Sequence, residues 1–160
     1  MLLVLETLGL CLLFFILCWL GTGTDEKNLK SFRSYPDAVQ KMLRQDPVLG
    51  KKIRETSQAA VFVSNVVLFS LVLLPFGLSL RGQGFSENFL NILIMGEAIN
   101  GFDLIMDLCW FRNSRRTRFT GTKDEKELYR NPENHVSAFL RGMAAFLAVA
   151  LVDGLILSLF

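Results

Sequence analysis

The chain has 160 residues, a formal net charge of +2, 51% hydrophobic residues and a mean hydropathy of +0.39. So small a net charge argues against a nucleic-acid partner. Apolar residues gathered in long blocks, with no helix or strand period, argue against an ordinary soluble domain. Cys11, Cys18 and Cys109 each lie in an apolar block without metal-ligand or disulfide-framework spacing, and the one histidine, His135, makes no His-rich centre. These thiols read as small hydrophobes, and neither a metal nor a cofactor is expected.

In chain order, apolar blocks cover residues 2–20, 59–80, 89–110 and 136–160. Each reaches the roughly 20 residues that a helix needs to cross a ~30 Å hydrocarbon core. Helices are the expected form, because a bilayer offers the backbone no water to bond. A cleaved signal peptide is the alternative for residues 2–20. That block lacks a basic region ahead of it, and "GTG" is a poor cleavage sequence, so a retained helix is expected.

The intervening segments set the orientation. Residues 21–58 carry eight Lys or Arg and residues 111–135 carry seven, against one in the link 81–88 and none at either terminus. The positive-inside rule places both long loops in the cytoplasm and both termini outside. The expectation is an all-α integral membrane protein with residues 1–160 as one transmembrane domain: four spans, N-out/C-out, in the plasma membrane of a bacterium.

Within the first loop, Pro36 and Asp37 suit a helix start, and Pro47 stops the segment. Val39, Met42 and Leu43 share one face, so a short amphipathic helix on the inner headgroup surface is expected. Asn131 and Pro132 make a similar start for the fourth span. The cluster "RNSRRTR" from Arg112 to Arg118 suits anionic lipid headgroups.

Both loops carry a common phrase, "GTGTDEKNL" from Gly21 and "GTKDEKEL" from Gly121, each followed by a proline beside an acidic residue. Duplicated helix hairpins and coincidence both accommodate it. The longer stretches "GTGTDEKNLKSFRSYPDAVQ" and "FTGTKDEKELYRNPENH" resemble a group of small bacterial four-span proteins, some of which carry the label ABC transporter permease. The resemblance implies the span layout and a transport setting, and brings no catalytic residues. The chain has no G-x-x-x-x-G-K-[ST] phosphate loop of its own.

Ionisable side chains inside a span cost about 2.5–3.5 kcal/mol each on insertion scales and so require a reason. In the third span, Glu97, Asn100, Asp103 and Asp107 form a stripe, the last three within about 60° of arc. Counted at about 1.5 Å per residue, two layers emerge. The inner one holds Asp103, Asp107, Asn65 and Arg141 with His135 and Arg112 at its mouth, as a paired network or a headgroup site. The outer one holds Glu6, Glu97 and Asp153 without a basic partner, beside Pro75 and Gly77 of the second span, where a weakened helix offers free carbonyls. Two readings fit it: a proton or cation site, or a neutral Glu97 bonded to Asn100 with Glu6 and Asp153 near the outer headgroups.

These features lead to a transport-type or channel-like component with the acidic stripe on its path, assembled as a homo-oligomer or with a larger membrane partner, and not to an enzyme with assigned catalytic residues. A lipid-modifying enzyme at the cytoplasmic face, using Asp103, Asp107, His135 and Arg141, is the first alternative. A non-catalytic accessory subunit is the second.

Overall fold

The computed structural model describes residues 1–54, 56–82, 84–111, 113–129 and 133–159. Among the described residues six α-helices follow in order: α1 (Leu2–Leu20), α2 (Asp25–Lys30), α3 (Asp37–Gln45), α4 (Gln58–Ser79), α5 (Phe85–Met106) and α6 (Glu133–Ser158). Short 3₁₀ turns lie between them, and α5 continues into a π-helical turn at Asp107–Phe111. No strand occurs among the described residues.

Four helices, α1, α4, α5 and α6, are long and apolar enough to cross a membrane. They match the four apolar blocks of the sequence to within a few residues. α4 starts where Ser57 accepts a hydrogen bond from the Ala60 N–H, which satisfies one of the free donors of a helix end. α4 also runs through Pro75, whose missing N–H leaves the Leu71 carbonyl without its helical donor. Asn131 and Pro132, expected at the start of the fourth span, lie outside the described residues.

The chain divides into two compact units. The first comprises Met1–Leu13, Thr56–Phe102 and Leu140–Phe160. Its helices pack through small residues: a Cβ added at Gly96 would meet the Phe146 ring at 2.5 Å, and one at Gly154 would meet Phe89 backbone at 3.1 Å. Gly77 is buried under the side-chain ends of Ile92 and Leu157. Close approach at glycine gains dispersion where lipid supplies no hydrophobic drive between helices. Phe69 packs tilted against Phe146, with ring centroids 4.7 Å apart, and Leu73, Ile92, Met95 and Val149 are fully buried. Leu8 and Leu71 point outward, at 61% and 69% exposure, which gives the unit an apolar surface suited to acyl chains.

The second unit comprises Phe14–Glu55 and Asp103–Phe139. Its core gathers Phe32, Tyr35, Val39, Leu43, Phe119 and Tyr129. Tyr35 donates its hydroxyl to the Thr117 carbonyl at 2.7 Å and packs against Phe111, Phe119 and Tyr129. Arg118, only 2% exposed, donates to the carbonyls of Lys123 and Asn113 and lies over the Tyr129 ring. A residue expected to meet lipid phosphate is thus an internal tie of this unit.

The amphipathic helix forms as α3, but its apolar face is occupied. Val39 and Leu43 are 0% and 1% exposed within the aromatic core, with Met42 packed against it. An apolar face already removed from water by protein contacts has no transfer energy left to gain from headgroups.

The two copies of the repeated phrase take different forms. The first makes α2, with Thr24 as its cap and Asp25 and Glu26 in its first turn. The second makes 3₁₀ turns at Thr120–Thr122 and Lys126–Tyr129. They lie close together: Thr120, just ahead of the second copy, donates its N–H to the Asp25 carboxylate at 3.0 Å.

Candidate functional site

Asp103 lies in the last turn of α5, Asp107 opens the π-helical turn, and His135 lies in the first turn of α6. Helical spacing of four residues brings the two aspartates to one side. His135 is almost fully buried, and its Nδ1 is 2.8 Å from Asp107 Oδ2. A carboxylate only accepts, so Nδ1–H donates and the ring is held in one orientation.

Asp103 and Asp107 line a cavity of about 190 Å³ in the second unit. Its other walls are Phe14, Phe15 and Cys18 of α1, Ser31 and Ser34 beyond α2, and Met106, Trp110 and Phe111. A π-helical turn inserts an extra residue into the helix and re-aims the side chains around it. Here that turn carries Asp107, Trp110 and Phe111. Trp110 is fixed by Trp19 at 5.4 Å, Phe15 at 6.1 Å and Phe111 at 6.2 Å between ring centroids.

The cavity is negative by composition. No Lys or Arg is among its described lining residues. Arg116 is engaged elsewhere: it lies over Trp19 at 4.6 Å and donates to Thr22 Oγ1 and the Trp19 carbonyl. Among the described residues, Asp103 forms no hydrogen bond, whereas Asp107 has His135. Nor does any group of three His, Cys, Asp or Glu residues there gather to hold a metal ion.

The remaining sequence candidates separate. Asn100 donates to the Glu97 carboxylate at 3.2 Å. Glu6 accepts from the Ser79 hydroxyl, while its other oxygen is buried without a partner among the described residues. Asp153 is fully buried with the Ser70 hydroxyl nearby, and among the described residues neither of its carboxylate oxygens makes a well-formed hydrogen bond. These acids of the first unit therefore occupy individual settings, not a shared three-ligand centre. Asn65 and Arg141 are exposed, and among the described residues Arg141 makes no ion pair, so the partner of Asp107 is His135. Arg112 lies outside the described residues.

Sequence reading left out Phe14, Phe15, Cys18, Ser31, Ser34 and Trp110. The available signal was aromatic: "FF" toward the end of α1 and "WF" following the Asp103–Asp107 pair. Those rings carried no site signal because nothing in a single sequence distinguishes a cavity wall from a bilayer surface. Compared with known proteins, the chain matches no family model, no curated protein and no solved structure.

Proposed function

We propose that this chain is a transport-type component of a bacterial plasma membrane that takes up a cation at the Asp103–Asp107 cavity. The observation that supports this reading is a cavity lined by two carboxylates and no described basic residue, with Asp103 lacking any hydrogen bond to described residues. A half-buried carboxylate without a partner favours a cation that replaces its lost solvation. The Lys- and Arg-rich segments 21–58 and 111–135 favour a cytoplasmic position for the unit that holds this cavity, with both termini outside. Contact with anionic headgroups then falls to exposed basic side chains such as Lys30 and Lys41, since the apolar face of α3 is occupied. Few helices are available to enclose a path, which favours a homo-oligomer or a larger membrane partner.

The test is uptake of monovalent, divalent and organic cations into proteoliposomes. Asp103→Asn and Asp107→Asn each lower the transported species' rate at least tenfold. Absence of protein-dependent uptake, or uptake untouched by both substitutions, overturns the proposal. The His135–Asp107 hydrogen bond favours a second reading, lipid-headgroup chemistry with His135 as base. His135 is not among the cavity's lining residues, which places this reading second.

A further inference from the structure

Carboxylates alone attract any cation, so the rest of the wall determines which cation fits. A hard metal ion such as Ca²⁺ takes about 6–8 oxygen ligands, and Mg²⁺ retains several waters in near-octahedral geometry. This cavity supplies two carboxylates a helical turn apart, one of them bonded through Oδ2 to His135. The serine hydroxyls of Ser31 and Ser34 add two neutral oxygens. The larger part of the wall is Phe14, Phe15, Trp110, Phe111 and Met106, which offer nothing to a small hydrated ion.

An alkylated ammonium makes use of every part of that wall. Its charge meets Asp103 and Asp107. Its carbon substituents lie against aromatic faces, whose quadrupole also attracts the cation, and against the polarizable Met106 thioether. Any N–H it carries has Ser31 and Ser34 as acceptors. Trp110 is held by Phe15, Trp19 and Phe111, so the aromatic wall is ordered before a ligand enters. A volume of about 190 Å³ suits a small amine.

Resting on the cation reading above, we infer that the cavity is a binding site for a small organic ammonium ion, supplied free or as a lipid headgroup. Charge comes from Asp103 and Asp107 and selectivity from Trp110, Phe14, Phe15 and Phe111.

Cys18 lines the cavity and provides the probe. In the full chain with Cys11→Ser and Cys109→Ser, reaction of Cys18 with the small neutral reagent methyl methanethiosulfonate is timed in detergent. Sodium, magnesium, ethylammonium and tetramethylammonium chlorides are compared at equal ionic strength. Either ammonium ion slows labelling at least fivefold, and sodium and magnesium leave it unchanged. Asp103→Asn removes the protection while retaining the unprotected labelling rate, which shows that the cavity is still formed. Trp110→Leu weakens protection by ammonium at least threefold. Repeating the assay in nanodiscs separates the sources: phosphatidylethanolamine protecting without added amine identifies the headgroup, and protection only by added ammonium in phosphatidylglycerol identifies the free ion. Magnesium protecting as well as ammonium overturns the ammonium assignment and leaves a cation site. No protection by any cation or lipid overturns both.

Discussion

In the unit of Phe14–Glu55 and Asp103–Phe139, segments far apart in sequence are tied by hydrogen bonds. Tyr35 donates to the Thr117 carbonyl, Asn28 to the Arg116 carbonyl, and Asn134 to the Tyr35 carbonyl. In the unit of Met1–Leu13, Thr56–Phe102 and Leu140–Phe160, packing rests on glycines against rings and backbone, as at Gly96 and Gly154. Buried polar atoms without partners follow the same division. Among the described residues the first unit has them on Glu6, Ser70, Asn88 and Asp153, and the second only at Arg118 Nε. Two charged loops that would otherwise stay solvated build an aromatic core with nearly complete hydrogen bonding, because each unmet buried group costs about 1–3 kcal/mol. Spanning-length helices satisfy their own backbones and depend on close approach instead.

The largest expected effect probes that aromatic core. Tyr35→Ala removes a buried ring with three aromatic neighbours and should destabilise the second unit by about 3–5 kcal/mol. Limited proteolysis in detergent checks it: cleavage within residues 21–54 rises sharply while the long helices stay protected. Unchanged cleavage would mean that the loop unit does not depend on this core.

Gly96→Ala is the matching test of the first unit. The added methyl overlaps the Phe146 ring and should cost about 1–3 kcal/mol. The thermal midpoint in detergent falls, while protease resistance of residues 21–54 is retained. A variant that loosens both regions equally would remove the distinction between the units.

Alkaline pH sharpens the comparison from the loop side. Burial first, then nearby Tyr129, Asp107 and Asp25, pushes the Tyr35 hydroxyl well above its ordinary range. The folded state therefore keeps the proton longer than the unfolded one. The stabilisation is complete below about pH 10 and is lost as pH rises further, at up to about 1.4 kcal/mol per pH unit. Tyr35→Phe weakens the unit at neutral pH by about 1 kcal/mol, because the Thr117 carbonyl loses its donor, yet flattens its alkaline loss. Proteolysis across pH 9–11 distinguishes the two slopes, and identical slopes in parent and variant would count against this role of Tyr35.

The smallest effect is local. Asp46 accepts from the backbone N–H groups of Leu49 and Val48, which hold its carboxyl below the usual range. Its stabilisation is present above about pH 4 and fades as acid protonates it. Since the group is only partly buried and its bonds are local, Asp46→Ala should raise amide exchange at residues 48–49 a few-fold and leave the rest of the unit unchanged. A global change in exchange would contradict so local a role.

The comparison also separates what was legible from what was not. Residues 2–20 could be read as a spanning helix because continuous apolar length is a one-dimensional property. The Asp103–Asp107 stripe could be read because four-residue spacing fixes a helix face. Arg141 was matched to the aspartates by depth alone, and depth carries no azimuth. His135 was recognised as a mouth residue, but its bond to Asp107 joins residues 28 positions apart. The apolar face of α3 was visible in Val39, Met42 and Leu43. Its contact with Phe119 and Tyr129, rather than with lipid, was not.

Sequence by itself determined four spanning-length helices and the positions of the acids within them, since length, hydropathy and helical period act along the chain. Only the tertiary structure decided that the two charged loops share a core, that Asp107 takes His135, and that Asp103 opens onto aromatic walls. Those outcomes depend on which distant segments displace water from one another, a property of three-dimensional packing that no local pattern encodes.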